Sequence, residues 1–166
     1  MKIILLLLAA AASAAGNSES DLTYNVPREI QRCTEGALAS KYPIETTVNP
    51  FYLRGDFDGD GKLDYVVRVV STENKKHGLI VCWGGTGRHP VIVAAGTRLR
   101  RADNSGFDDL PMIGWSVYGK RPIEEGVGEG PPPPLIGEAV YVDASESASG
   151  ILYWTGKTFR WYQQGD

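Results

Sequence analysis

The stretch Asp56-Phe-Asp58-Gly-Asp60-Gly-Lys62-Leu-Asp64 concentrates the chemistry that this chain can offer. Four carboxylates at alternate positions repel one another unless a cation sits among them. Alternate side chains turn inward when a short segment curls, and Gly61 permits the sharp bend. Calcium is a hard cation that takes six to eight oxygens at about 2.3–2.6 Å. The predicted ligands are therefore the carboxylates of Asp56, Asp58, Asp60 and Asp64 with the backbone carbonyl of Lys62, whose side chain is expected to point away. A helix–loop–helix site would carry a bidentate Glu at the twelfth position. Here that position is Val67, inside an apolar run. Asp64 is thus expected to supply the bidentate contact, and a strand rather than a helix to follow.

With the apolar run after it, this segment resembles the DxDxDGxxD calcium loop of FG-GAP and VCBS-type repeat proteins over about Tyr52 to Val70. The resemblance implies that the loop joins neighbouring strands of a sheet and that the same five residues hold the ion. There is a single copy, and no Phe-Gly or Gly-Ala-Pro element flanks it. Propellers built from such repeats need several blades, so a complete propeller is not implied. The segment Glu138 to Asp166 also resembles, loosely, small exported bacterial proteins of unknown function that carry one such loop. Arg54-Gly55-Asp56 spells an integrin-binding tripeptide, but Asp56 is already committed as the first ligand and the match is read as coincidence.

A catalytic frame is harder to find. The chain has no Gly-x-Ser-x-Gly elbow, and His77 and His89 each fall in a turn. Gly84-Gly-Thr-Gly87 is followed by Pro90 and a strand, not by the Lys-Ser/Thr and helix of a phosphate loop. Asp108-Asp109 and Glu124-Glu125 are adjacent acids, and adjacency does not place two carboxylates across a substrate. No catalytic or cofactor-binding residue is assigned. Tyr153, Trp154, Phe159, Trp161 and Tyr162 crowd the C-terminal end. Alternation along strands sends Tyr153 and Trp154 to opposite faces, and likewise Trp161 and Tyr162. They can form a ligand platform or pack across strands in the core, and packing is the favoured reading.

The compartment is read from the N-terminus and the cysteines. Met1-Lys2, the apolar run Ile3 to Ala12 and the small-x-small Ala12-Ser13-Ala14 have the layout of a secretory signal over residues 1–15. A polar tether follows over residues 16–26. About 150 residues remain, enough for one domain over residues 27–166. Without Lys2 the acids outnumber the bases by about four, a mild excess that disfavours nucleic acid as a partner. Cys33 and Cys82 are the only cysteines. In an oxidising compartment such a pair reads as a disulfide. The protein is expected to be periplasmic or secreted, without membrane insertion once the signal is removed.

The positioning elements follow from pattern. Pro27 to Lys41 reads as a helix with Ile30, Cys33, Ala37 and Leu38 on one face, weakened by Gly36 and ended by Tyr42-Pro43. Strands are predicted at residues 65–72, 79–83, 91–95, 113–118, 139–143, 150–154 and 158–162, with a tight turn at Thr155-Gly-Lys157. Residues 98–111 read as a surface loop, and the Gly- and Pro-rich residues 121–134 as a long exposed one. The expected fold is α+β: the N-terminal helix, tied by Cys33–Cys82, packed on one antiparallel sheet of about seven strands, with the calcium loop between strands. The expected function is an exported calcium-binding protein, its ion structural, that acts as an extracytoplasmic interaction module for a protein partner. A carbohydrate-binding module using Tyr153, Trp154, Trp161 and Tyr162 is the alternative. A small cell-wall hydrolase is the second.

Overall fold

Runs such as Val66-Val67 and Ile151-Leu152 have no polar face, so strands built from them must be covered on both sides. The computed structural model describes residues 26–85, 87–126, 130–144 and 148–165. The expected signal and nearly all of the tether lie outside these residues. Two short helices come first, α1 (Arg28–Cys33) and α2 (Ala37–Lys41). Strands β1 (Tyr52–Gly55), β2 (Asp64–Val70), β3 (His77–Cys82) and β4 (Val91–Ala94) form an antiparallel meander in sequence order. A second sheet holds β5 (Leu99–Arg101), β6 (Gly106–Phe107), β7 (Gly114–Tyr118), β8 (Ala139–Ala144), β9 (Ala148–Trp154) and β10 (Phe159–Gln163). Its order is β6-β5-β10-β9-β8-β7, and β5 pairs parallel with β10.

The main core lies between the sheets. Leu53, Phe57, Val66, Leu79, Val81 and Val93 from the first sheet and its loop meet Val140, Val142, Leu152, Trp154, Phe159 and Trp161 from the second. Alternate residues face outward and are covered as well. Val67, Val69, Ile80 and Cys82 are buried with Val26, Ile30 and Tyr42 of the N-terminal segment. On the far side, Ile151, Tyr153 and Tyr162 are buried with Ile123, while Leu135 packs against them half-buried. Ile123 and Gly126 of the Gly- and Pro-rich stretch thus pack onto the second sheet, while most of its other described residues are exposed. The Tyr162 hydroxyl accepts from the Gly126 N–H at 3.1 Å and donates to the Gly130 carbonyl at 2.7 Å.

The α+β expectation is corrected: the chain is mostly β, with two sheets instead of one. No N-terminal helix is packed as a layer on a single sheet among the described residues. The helical signal over Pro27–Lys41 breaks into two pieces because Gly36 adopts φ +64°, which no helix accommodates. Thr34 ends the first piece, its N–H and hydroxyl both donating to the Ile30 carbonyl at 2.9 Å. Within the expected surface loop of residues 98–111, β5 and β6 pair through Leu99↔Phe107 and Arg100↔Gly106. Their charged residues hid the pairing, since Leu99 and Phe107 are the only large apolar side chains in those strands. The disulfide Cys33–Cys82 is present, with Cα atoms 5.8 Å apart, and fastens the end of α1 to the end of β3.

Candidate metal centre

Strands β1 and β2 pair antiparallel down to Gly55↔Asp64, which leaves residues 56–63 to curl as a hairpin loop. The aspartates shape that curl themselves. Asp58 Oδ1 accepts the Asp60 N–H at 3.1 Å, and Asp60 Oδ1 accepts the Lys62 N–H at 2.8 Å. Such side-chain turns suit Asp because its carboxylate reaches the backbone two residues on. Asp56 Oδ2 accepts the Gly61 N–H at 3.0 Å, and Gly61 sits at φ +82°. Gly59, at φ +77°, is needed for a second reason: a Cβ there would lie 2.5 Å from the Ile136 carbonyl oxygen.

Asp64 is almost wholly buried. Its Oδ2 accepts the Phe57 N–H at 3.0 Å and its Oδ1 the Gly84 N–H at 2.8 Å. Burial pushes its carboxyl above the ordinary range, the two backbone N–H groups pull it back, and the charges of Asp58 and Asp60 push it up further. Asp60 goes the other way, held low by the backbone N–H and the ammonium of Lys62.

Three of the predicted carboxylates converge. Asp56, Asp58 and Asp64 each offer an oxygen within 4.8 Å of the others. Ligands about 2.3–2.6 Å from one calcium ion can lie no farther apart than about 5 Å, so the spacing fits. Asp56 Oδ1 is buried and has no hydrogen-bond partner. A buried carboxylate oxygen without a partner is costly, and a cation bound by Asp56 could satisfy it. The residues present therefore fit a hard divalent cation. Asp60 is not in the convergent group. Its Oδ2 faces Lys62 Nζ at 3.1 Å, so the Lys62 side chain folds back onto the loop instead of pointing away as the sequence reading expected. Both Asp64 oxygens already hold N–H groups, but a carboxylate has about four lone-pair sites, which leaves capacity for a metal.

Three contributors to the site are absent from the loop motif. Glu138 Oε2 accepts the Asp56 N–H at 2.8 Å, and the Glu138 N–H donates to the Asp56 carbonyl at 2.7 Å. Gly84 donates to Asp64, and a side chain there would meet the Leu63 carbonyl oxygen at 2.2 Å. Arg88 forms an ion pair with Asp58 Oδ2 through its Nη1. Its guanidinium also lies over the Trp83 ring, 3.9 Å from the centroid. A sequence signal existed only for Gly84, as the first glycine of a Gly-rich turn.

The other residues singled out in the sequence are engaged elsewhere. Tyr153, Trp154, Trp161 and Tyr162 are all buried, so they present no open aromatic face and the ligand platform is corrected to core packing. Trp154 packs edge-on to Trp83 and tilted on Phe159, each at 5.1 Å. His77 opens β3, with its Nδ1 3.2 Å from Asp109 Oδ1 and its Nε2 3.8 Å from Glu45 Oε1. Asp108 pairs with Lys76 at 2.5 Å. The adjacent acids Asp108 and Asp109 are thus occupied in tying the segment after β6 to the start of β3.

In comparisons with known proteins, no family model matches the chain, and neither a curated protein nor a solved structure matches it. The likeness to calcium-loop repeats therefore rests on the Asp56–Asp64 segment alone.

Proposed function

We propose that this is an exported calcium-binding protein whose ion has a structural role, and that the folded chain acts as an extracytoplasmic interaction module for a protein partner. The observations that carry the reading are the convergence of the Asp56, Asp58 and Asp64 carboxylates and the buried oxygen, Oδ1, that Asp56 carries without a partner. When bound, calcium would supply positive charge where three carboxylates crowd together. Asp56, Asp58 and Asp64 would hold it directly. Export is supported by the N-terminal signal pattern and by the disulfide, a bond that persists in oxidising compartments.

The ion's role is structural because of what the loop joins. Through Gly84 it reaches the turn after β3, and through Glu138 it reaches the entry to β8 in the other sheet. Binding that requires this folded arrangement stabilises it by mass action. Calorimetric titration of the metal-free mature protein with calcium, and with magnesium in parallel, tests the reading. Saturable calcium binding at one site, lost in Asp58→Ala, together with a raised melting temperature, is expected. An identical melting curve in chelator and in millimolar calcium, with no heat of binding, would overturn it.

A further inference from the structure

Resting on the calcium reading above, the geometry points to Arg88 as a built-in counter-ion of the loop, which calcium displaces from Asp58 by charge repulsion. The Asp58 side chain is only 6 % exposed, and both of its oxygens are taken. Oδ1 holds the Asp60 N–H, a bond made by the curl of the loop itself, and Oδ2 holds Arg88. The first partner lies two residues away on the same turn. The second reaches in from the β3–β4 connection, 30 residues away. Asp58 already offers an oxygen within 4.8 Å of those of Asp56 and Asp64 and, like Asp64, has lone pairs to spare. What an arriving ion meets there is the Arg88 charge on the same carboxylate, and Arg88 is the partner that can leave.

Charge points the same way. Lys62 faces Asp60 and Arg88 faces Asp58, while Asp56 and Asp64 hold backbone N–H groups. The metal-free loop is therefore partly neutralised by its own side chains, and the chain can fold before it meets calcium. A divalent ion placed beside Asp58 repels a guanidinium on the same carboxylate. Loading the loop is thus an exchange of cations rather than a simple addition.

Arg88 also carries the exchange to a second place. Its guanidinium covers Trp83, which stacks on Phe159 at 6.0 Å and meets Trp154 edge-on at 5.1 Å. Those rings belong to the junction of the two sheets. Release of Arg88 from Asp58 changes the charge held over the Trp83 indole, so that ring reports loading of the loop. The Arg88 side chain becomes the moving part of a calcium-responsive device.

The test is calcium calorimetry and tryptophan emission on the mature protein, comparing wild type, Arg88→Gln, Lys62→Gln and Trp83→Phe at fixed ionic strength, with circular dichroism to establish folding. Arg88→Gln is expected to bind calcium about tenfold more tightly, the scale of one charge-assisted hydrogen bond weakened by partial exposure. Lys62→Gln removes an equal charge and is expected to tighten binding only about two- to threefold, as an exposed pair would. Calcium should change the emission of wild type and Lys62→Gln, but not that of Arg88→Gln or Trp83→Phe. Equal affinities for wild type and Arg88→Gln, or the same emission change in both, would overturn the displacement while leaving the calcium reading standing. Binding seen only in Arg88→Gln would show that calcium does not displace Arg88 in the native chain, and would overturn both this inference and the calcium reading for the wild-type protein. No binding by either protein would overturn the calcium reading and this inference with it.

Discussion

Asp56 and Glu138 hold each other reciprocally: the Asp56 N–H donates to Glu138 Oε2 at 2.8 Å, and the Glu138 N–H donates to the Asp56 carbonyl at 2.7 Å. One residue begins the aspartate loop of the first sheet, and the other leads into β8 of the second. Glu138→Ala removes the acceptor and strands a part-buried N–H, a loss of about 1–3 kcal/mol. Thermal unfolding should show it, and calcium affinity should fall as well because the first ligand loses its anchor. A variant with unchanged affinity and an unchanged melting temperature would show that this clamp is idle.

The acid response of the loop has a definite sign. Burial holds the Asp64 carboxyl above its unfolded value, so it takes up a proton more readily in the metal-free fold than in the unfolded chain. Its contribution to stability is therefore present at low pH and lost as pH rises through the folded value. Calcium needs the ionised carboxylate, so the stabilisation it confers should grow over the same window. Melting temperatures of metal-free and calcium-loaded protein, measured from about pH 4 upward, should converge at the acid end and separate toward neutrality. A calcium increment that stayed constant across that range would remove Asp64 from the ligand set.

How far the sequence could be read depended on the range of each interaction. The aspartate spacing was legible because the turns at Asp58 and Asp60 close over two residues. The Cys33–Cys82 pairing was legible because only two cysteines exist. Arg88 and Glu138 were not, since they reach the loop across 30 and 82 residues and nothing local marks them. Adjacent apolar residues also misled the fold reading. Val66 faces the core between the sheets and Val67 the opposite core, yet a run of valines reads the same in one sheet or in two. The terminal aromatics resolve similarly, with Trp154 and Trp161 inside the sandwich and Tyr153 and Tyr162 under the Gly- and Pro-rich cover. Gly150 belongs with them: a Cβ there would lie 2.2 Å from the Trp161 ring, a demand that only the packed structure reveals.

The disulfide closes a separation of 49 residues between α1 and β3. Restricting the unfolded chain over such a loop contributes about 4 kcal/mol on the chain-entropy account. Cys33→Ala with Cys82→Ala should therefore lose about 4 kcal/mol of unfolding free energy, seen as a lower urea midpoint. Calcium affinity should change little, because neither cysteine is among the proposed ligands. A difference below about 1 kcal/mol would show that the N-terminal segment is held by the burial of Ile30 and Tyr42 instead.

The charged pair beneath the first sheet gives a sharper contrast between variants. Arg68 Nη2 lies 3.0 Å from Glu45 Oε2, with the arginine side chain 3 % exposed and its Nη1 buried without a partner. Burial pulls the Arg68 pKa down, and the Glu45 charge opposes that shift. Removing the glutamate alone leaves a buried positive charge uncompensated, a change that typically costs about 3–5 kcal/mol. Replacing both with apolar residues of similar volume removes the desolvation cost together with the attraction, and is often close to neutral. Glu45→Ala should therefore be markedly less stable than the double variant Glu45→Leu with Arg68→Met. Urea unfolding of the two proteins beside wild type reads the difference directly. If the double variant proved the weaker, the pair would be an asset in its own right, with Arg68 stabilised by more than its bond to Glu45.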